Sequence, residues 1–224
     1  VVRSGEASGP ITAAALTANL ALVPVADQLN ASNTVLTDDQ RAVIRKHPAR
    51  SIQALTSAGI NNKLLLRIIA QHHEQADGSG YPEGLSGSDI LPEAEILALA
   101  ERYVAMITKR AYRNRMNITE ARKLIATLAD GKFRPAIPRS LLQILGDHPP
   151  GMLVRLVNNE VGVVTRRADR TRGPFVKAIF GPRGNRYSGT FERDTSLLEY
   201  NIRAPEEPEI MPTMDFSMLW GFRS

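Results

Sequence analysis

Apolar residues recur at helical spacing through the first two thirds of the chain. An Ala/Leu/Val-rich segment over residues 11–31 predicts a helix that breaks at Pro24. The next helix is predicted to begin at Thr37, because Thr37 and Gln40 have the spacing of a capping box, and to end at Gly59. The pattern therefore indicates a mainly α region.

Four further helices are predicted before residue 148, separated by segments rich in Gly and Pro. A dense Gly/Pro stretch over residues 77–82 predicts a loop between the first two of them. The signals that begin or end these helices are Asn61 or Asn62, Pro92, the pair Asn117 and Glu120, Gly131, Pro138 and Gly146.

The pattern changes after residue 148 to short β-rich runs. Residues 153–157 and 161–165 predict a hairpin around Asn158 and Asn159, and residues 175–180 and 196–202 predict further strands. We expect a mainly α protein in which a helical bundle precedes a small β-rich C-terminal module. The predicted divisions are an N-terminal helical segment (1–33), a helical domain (34–148), the β module (149–203) and an extended tail (204–224).

The composition is that of a globular protein, with 43% hydrophobic and 23% charged residues. The most apolar run, residues 11–26, is interrupted by Asn19 and Pro24, so we expect no membrane span. Only 5% of residues are aromatic, and the net charge of +5 is modest, so we expect no nucleic-acid partner. The chain has no cysteine, which fits a cytoplasmic protein and leaves histidines and carboxylates as the metal ligands.

Two adjacent histidines, His72 and His73, begin the most informative string, HHEQADGSGYPEGLSG over residues 72–87. This string resembles the HD-GYP family, a branch of the HD-domain metallophosphohydrolases whose motif is HHE-x-x-DG-x-GYP-x-GL-x-G. Residues 36–48, which contain His47, and the segments ILALAERYVAM (96–106) and RAYR (110–113) extend the similarity over about residues 34–148. The resemblance implies an HD-domain-like helical bundle, a metal centre and cyclic di-GMP as the ligand.

The chain departs from the family at the His-Asp dyad that gives this group its name. The dyad positions hold Leu16 and Thr17, and Leu20 stands at the place of a phosphate-contacting Lys. A different register does not restore the dyad, because no histidine precedes His47. Without the bridging carboxylate the family's two-metal centre is incomplete, so we expect no catalytic residue at the dyad positions.

The remaining ligand positions are His47, His72, His73 and Glu101, where Glu101 replaces the family's metal-binding Asp. By the resemblance, these four side chains hold at most one transition-metal ion, which is iron, manganese, zinc or nickel. The alternative is that Glu101 pairs with an arginine or water at the edge of an apolar helix face.

The resemblance assigns two more functions to this part of the chain. Arg110 and Arg113 correspond to residues that approach the phosphates of the ligand, and the alternative is a solvated basic helix end. Asp77, Gly78, Gly80, Tyr81 and Pro82 form a loop that the family uses to dock onto diguanylate-cyclase-type signalling domains. The alternative for Tyr81 is packing against its own domain.

We therefore interpret the chain as a degenerate, non-catalytic HD-GYP domain in cyclic di-GMP signalling, which acts by protein docking or nucleotide sensing. One alternative is a metal-dependent cyclic di-GMP phosphodiesterase with an altered metal site. The other is a structural module of a larger complex.

Overall fold

The computed structural model describes residues 5–31, 36–108, 116–206 and 216–221. It divides into a helical unit, residues 1–141, and a β unit, residues 142–224. The division falls inside the helix Ala136–Leu145, earlier than the boundary predicted at residue 148. A mainly α region followed by a small β-rich module, as the sequence predicts, is confirmed.

Three helices of the helical unit begin at predicted caps, whereas the helix predicted to begin at Pro138 starts two residues earlier, at Ala136. Thr37 Oγ1 accepts a hydrogen bond from the Gln40 amide, and Gln40 Oε1 accepts one from the Thr37 amide. Asn62 and Asn117 cap two later helices through their side-chain oxygens. The α-helices are α1 Gly5–Thr17, α2 Ala26–Ala31, α3 Asp38–Ser57, α4 Lys63–Gln71, α5 Pro92–Ile107, α6 Ile118–Thr127 and α7 Ala136–Leu145, and 3₁₀ turns cover Leu20–Val25 and Gly87–Asp89.

The core of the helical unit forms where α1, α3, α4 and α5 meet. Two small residues, Ala14 of α1 and Ala18 just after its end, are fully buried there. Because alanine has no side chain beyond Cβ, α1 can approach α4 and α5 closely. The other buried members of this core are Leu55, Leu65, Ile68, Ile69 and Leu97. This packing brings the residues that follow α1 and α4 next to the inner face of α5.

By length and composition alone, the helical stretch Ala7–Leu29 is able to cross a membrane. The core helix of a globular protein passes the same test. Here α1 ends at Thr17, a 3₁₀ turn follows at Leu20–Val25, and Ala14 and Ala18 lie in the core. A bilayer-spanning helix needs about 20 continuous residues. The stretch thus contributes two residues to the core, while only 11% of its most apolar part is buried.

The β unit is a five-stranded antiparallel sheet in the order β4-β3-β2-β1-β5. Its strands are β1 Leu153–Leu156, β2 Val161–Arg166, β3 Phe175–Phe180, β4 Arg186–Asp194 and β5 Ile202–Pro205. The β1–β2 hairpin turns at Asn159, whose φ is 68°, a left-handed conformation that asparagine tolerates.

Two expectations for the β unit are wrong. The strand predicted over residues 196–202 is instead a 3₁₀ turn, Leu198–Tyr200, that precedes β5. The tail predicted as extended from residue 204 contains a short helix, α8 Phe216–Trp220, whose Leu219 is buried among Leu153, Val161, Val163 and Ile179 of the sheet. An apolar side chain that the sheet can cover therefore anchors this end of the chain.

Among the described residues of the β unit, Glu160 is the most enclosed carboxylate, with its side chain 4% exposed. Arg193 donates to both of its oxygens at 2.8 Å, Tyr187 donates its hydroxyl at 2.7 Å, and Asn158 donates its amide at 3.0 Å. These donors, Arg193 foremost, lower the pKa of Glu160 to about 2. The network joins the β1–β2 turn to β4.

Candidate metal centre

The histidine nitrogens of His47, His72 and His73 converge, with their ligand atoms all within 4.8 Å of one another. His47 lies in the middle of α3, and α4 ends at Gln71, so that His72 and His73 follow its last turn. The Nε2 atoms of His47 and His72 are 3.3 Å apart, and both rings are buried. The structure thus brings together the three histidines that the sequence predicts as ligands.

The backbone decides which nitrogen of each buried ring carries the proton. His47 Nδ1 lies 2.6 Å from the carbonyl oxygen of Ile44, and His72 Nδ1 lies 2.7 Å from that of Ile69. A carbonyl oxygen only accepts, so each Nδ1 donates its proton and each Nε2 presents a lone pair. The two lone pairs therefore face each other across 3.3 Å.

A shared cation fits this arrangement. Two nitrogens bound tetrahedrally to one zinc ion at about 2.0–2.1 Å lie about 3.4 Å apart. The Nε2 separation of 3.3 Å between His47 and His72 is close to this value. A backbone carbonyl that accepts from the other ring nitrogen is also the usual orienting partner of a metal-binding histidine. The donor set therefore suits a transition-metal ion.

Burial keeps all three rings neutral. It lowers the pKa of His47 and of His72, and it lowers that of His73 to about 2 with a further contribution from the two neighbouring imidazoles. Metal binding requires the neutral imidazole. At neutral pH these histidines need lose no proton before they bind an ion.

Glu101 supplies a carboxylate beside the histidines from the inner face of α5. Its Oε2 lies 3.7 Å from His72 Nε2, and its Oε1 accepts a hydrogen bond of 2.6 Å from the side-chain amide of Asn19. Burial raises the pKa of Glu101, and the Asn19 hydrogen bond opposes that effect. The sequence predicts Glu101 at this site but assigns no function to Asn19, which lies in the segment after α1.

The positions of the missing dyad do not take part in this cluster. Leu16 is 80% exposed, and Thr17 Oγ1 donates to the carbonyl oxygen of Ala13 within its own helix at 2.7 Å. Leu20, at the place of the phosphate-contacting Lys, is an exposed apolar side chain. The chemistry of these three side chains differs from that of the family residues they replace.

The loop that follows His73 closes back over this histidine. The Tyr81 ring stacks on the His73 ring with centroids 4.7 Å apart, and the Arg45 guanidinium lies 5.2 Å from the centroid of the Tyr81 ring. Gly80 permits this closure, because a Cβ there would lie 2.4 Å from backbone atoms of Glu74 and Gln75. Tyr81 is half-buried and contacts its own domain, whereas Asp77 and Pro82 are exposed.

Two buried carboxylates support the loop. Glu74 accepts the backbone amides of Glu83 and Leu85 at 2.7 and 3.0 Å. Glu95 of α5 pairs with Arg134, whose guanidinium also donates to the carbonyl oxygens of Gly87 and Ile90. Sequence reasoning did not assign the Glu95–Arg134 pair, and the only available signal was a charged residue on the apolar face of α5.

A cavity of about 950 Å³ opens beside the histidines within the helical unit. Its polar lining includes Asn19, His72, His73, Glu101 and Arg102, and its apolar lining includes Leu97, Val104, Met106, Leu124, Leu128 and Phe133. Arg110 and Arg113, expected near the phosphates of a ligand, lie outside the described residues.

Comparison with known proteins identifies the class. The family model of the HD domain matches residues 6–137, so this chain belongs to the HD-domain family. The resemblance to HD-GYP proteins inferred from residues 72–87 is confirmed.

Similar proteins include two bacterial enzymes and one solved structure. A cyclic di-GMP phosphodiesterase of Pseudomonas aeruginosa is 33% identical over 149 residues, which cover 66% of this chain and 36% of that protein. The cyclic di-GMP phosphodiesterase PdeB of Borreliella burgdorferi is 24% identical over 140 residues, which cover 62% and 37%. The HDG"Y"P protein Bd1817 of Bdellovibrio bacteriovorus superposes with a TM-score of 0.42 and 22% identity over 61% of this chain and 51% of that chain. The chain thus spans little more than a third of the length of the two curated relatives.

Proposed function

We propose that this chain carries a degenerate HD-GYP domain that acts in cytoplasmic cyclic di-GMP signalling without hydrolysing the dinucleotide. The relatives named as cyclic di-GMP phosphodiesterases support the choice of ligand. The main support for the loss of catalysis is the side chain of Thr17. This residue stands in place of the bridging Asp, and its hydroxyl is bonded to Ala13 of its own helix.

The carboxylates around the cavity support one metal ion rather than two. Two described lining residues carry carboxylates, Glu74 and Glu101, and both oxygens of Glu74 already accept backbone amides. Glu101 is therefore the carboxylate that remains for an ion. We propose His47, His72, His73 and Glu101 as the ligands of one iron, manganese, zinc or nickel ion. When bound, such an ion supplies a Lewis acid that polarises a phosphoryl oxygen.

The cavity supports binding of a nucleotide-sized ligand. Its volume of about 950 Å³ is at the upper end of the range for small-molecule sites, roughly 300–1,000 Å³. Arg102 lines it, and we propose that Arg110 and Arg113 add phosphate contacts of the bidentate kind that guanidinium groups make. Leu20 removes one cation that the family uses for this purpose.

We also propose that the loop over residues 77–82 docks onto a diguanylate-cyclase-type signalling domain. Asp77, Ser79 and Pro82 are its exposed members, while the Tyr81 ring is half-buried and stacks on His73. Asp77 keeps a negative charge for this contact, because hydrogen bonds from Ser79 and Lys132 lower its pKa to about 2. The substitutions Asp77→Ala and Pro82→Ala should weaken binding to such a domain and leave metal affinity unchanged. Unaltered binding by both variants contradicts the docking proposal.

The decisive experiment combines turnover, binding and metal content on the same purified chain. Cyclic di-GMP hydrolysis is assayed with Mn²⁺ and Fe²⁺, with the Pseudomonas aeruginosa relative as the active control. Calorimetry then measures dinucleotide binding, and elemental analysis counts the metal. We expect one ion per chain and binding of the dinucleotide without turnover. Two ions per chain with robust turnover overturn the proposal.

The altered single-metal phosphodiesterase remains a second candidate, because the histidine cluster and Glu101 are still assembled. Slow turnover that His72→Ala abolishes would favour it. Turnover that survives His72→Ala comes from a contaminating enzyme. A chain that binds neither metal nor cyclic di-GMP fits the structural module instead.

A further inference from the structure

The hydrogen bond between Asn19 and Glu101 joins two residues that are distant in sequence. Asn19 Nδ2 donates to Glu101 Oε1 at 2.6 Å, while Glu101 Oε2 lies 3.7 Å from His72 Nε2. The two oxygens of one carboxylate therefore have different neighbours. One faces an amide donor, and the other faces the histidine cluster.

This arrangement has a chemical consequence for any ion held there. A carboxylate that shares one oxygen with an amide has the other available for a metal, and such partners orient ligating carboxylates. The hydrogens of the Asn19 amide carry partial positive charge. They therefore disfavour a second cation beside Oε1, but not a first cation beside Oε2.

The position of Asn19 explains how it reaches the site. It follows Thr17 and the fully buried Ala18, at the point where α1 ends against α4 and α5. Thr17 turns its hydroxyl to its own helix, whereas the side chain of Asn19 extends across to α5. The polar partner of the metal carboxylate thus comes from a position two residues beyond the one that holds the bridging Asp in the family.

We propose that Asn19 is a positioning residue that holds Glu101 as a one-oxygen ligand and so restricts the site to a single ion. The proposal rests on the metal site of the proposed function and adds a residue to it. It also accounts for the longer Glu at this position, because the extra methylene lets the carboxylate contact the amide and the histidines together.

The test is a double-mutant cycle on metal affinity. Binding of Zn²⁺ and Mn²⁺ by the full chain is measured in competition with a chelator, and Co²⁺ absorption reports the coordination. We expect Asn19→Ala to weaken binding about 10- to 100-fold, the usual effect of losing an outer partner of a ligand. Thr17→Ala is the matched control, since its hydroxyl bonds within α1, and it should change affinity less than about twofold.

The second arm changes the same hydrogen bond from the opposite side and leaves α1 intact. Glu101→Asp withdraws the carboxylate from Asn19, so adding Asn19→Ala to Glu101→Asp should have almost no further effect. Thermal unfolding of the metal-free variants checks that each one folds.

Each outcome bears on the proposal. Equal metal affinity in Asn19→Ala and the unsubstituted chain, or independent effects of the two substitutions, overturns it. Absence of metal binding by the unsubstituted chain overturns both Asn19's function and the metal site. If the unsubstituted chain hydrolyses cyclic di-GMP and Asn19→Ala weakens metal binding, the inference about Asn19 is supported. Only the proposal that the domain is non-catalytic is then wrong.

Discussion

Glu160 of the β unit and Glu101 of the helical unit are carboxylates with opposite surroundings. In the β unit, both oxygens of Glu160 accept hydrogen bonds from Arg193, and Tyr187 and Asn158 also donate to this side chain. In the helical unit, Glu101 accepts from Asn19, and its other oxygen faces His72 Nε2, an atom that presents a lone pair. The hydrogen bonds from Arg193 lower the pKa of Glu160, whereas burial raises the pKa of Glu101.

This difference separates a structural network from the proposed binding site. A buried polar group whose donors come from its own chain adds stability and specificity to the fold. Where buried hydrogen-bond acceptors face one another without a donor between them, a bound cation satisfies their lone pairs. The stability of the β unit should therefore fall when an internal hydrogen-bond partner is removed. The stability of the helical unit should rise when a metal ion is added.

The largest effect is expected at Glu160. The substitution Glu160→Gln leaves Arg193 without its carboxylate, and breaking a buried pair typically destabilises by about 3 kcal/mol or more. Hydrogen exchange of the β3 amides measures the loss in the β unit alone. Glu192→Gln is the control, because its pair with Arg166 is 48% and 58% exposed and contributes about 0–1 kcal/mol. Equal effects of the two substitutions contradict the structural function of Glu160.

The same carboxylate predicts the acid response of the β unit. Its folded pKa of about 2 lies below the unfolded value of about 4.3, so its contribution is fully present above pH 4.3. It is lost as the pH falls from there to about 2, and the integrated loss is about 3 kcal/mol. Over this pH range, the exchange rates of the β3 amides should rise less in Glu160→Gln than in the unsubstituted chain. A pH profile identical to that of the unsubstituted chain excludes Glu160 as the cause.

A saturating transition-metal ion should stabilise the helical unit and leave the β unit unchanged. An ion at 100 times its dissociation constant adds about 2.7 kcal/mol. Hydrogen exchange of α4 amides detects this gain, and His72→Ala should abolish it while His148→Ala, outside the cluster, should not. If the ion stabilises β3 instead, it binds in the β unit, which contradicts the prediction.

A smaller effect is expected from Gly80→Ala. The added Cβ meets backbone atoms of Glu74 and Gln75, so the loop must shift and lose about 1–3 kcal/mol of packing. The stack of Tyr81 on His73 moves with it, and metal affinity should fall. The control Gly9→Ala, where a Cβ meets no atom within 4 Å, should be neutral or stabilising. Undiminished stability and metal affinity in Gly80→Ala would show that the loop tolerates displacement.

Local signals in the sequence predict most helices, whereas the histidine cluster was predicted from the resemblance to HD-GYP proteins. Thr37, Asn62 and Asn117 cap helices through contacts with near neighbours, and such contacts are visible in the sequence. β4 was missed because its sequence, RYSGTFERD, has no regular apolar alternation, and none of its residues is fully buried. It pairs with β3, whose sequence, FVKAIF, is apolar at five of its six positions.

The parts of the site that the sequence did not predict depend on tertiary packing. Asn19 contacts Glu101 across 82 positions, and Arg134 contacts Glu95 across 39. No local periodicity marks either pair, because packing of whole helices creates them. The resemblance to HD-GYP proteins locates the histidines and Glu101 but offers no counterpart for the Asn19 amide.

The short helix α8 gives the protein a built-in optical label. It carries Trp220, the single tryptophan of the chain, and it is anchored by Leu219 in the sheet and by the Lys177 amine, which donates to the Met218 carbonyl oxygen at 2.9 Å. Light that excites only indole therefore reports on the β unit. Tyrosine emission also arises from the helical unit, where Tyr81 lies on His73. An event in the sheet should therefore change the tryptophan emission, whereas an event at the histidines should leave it unchanged.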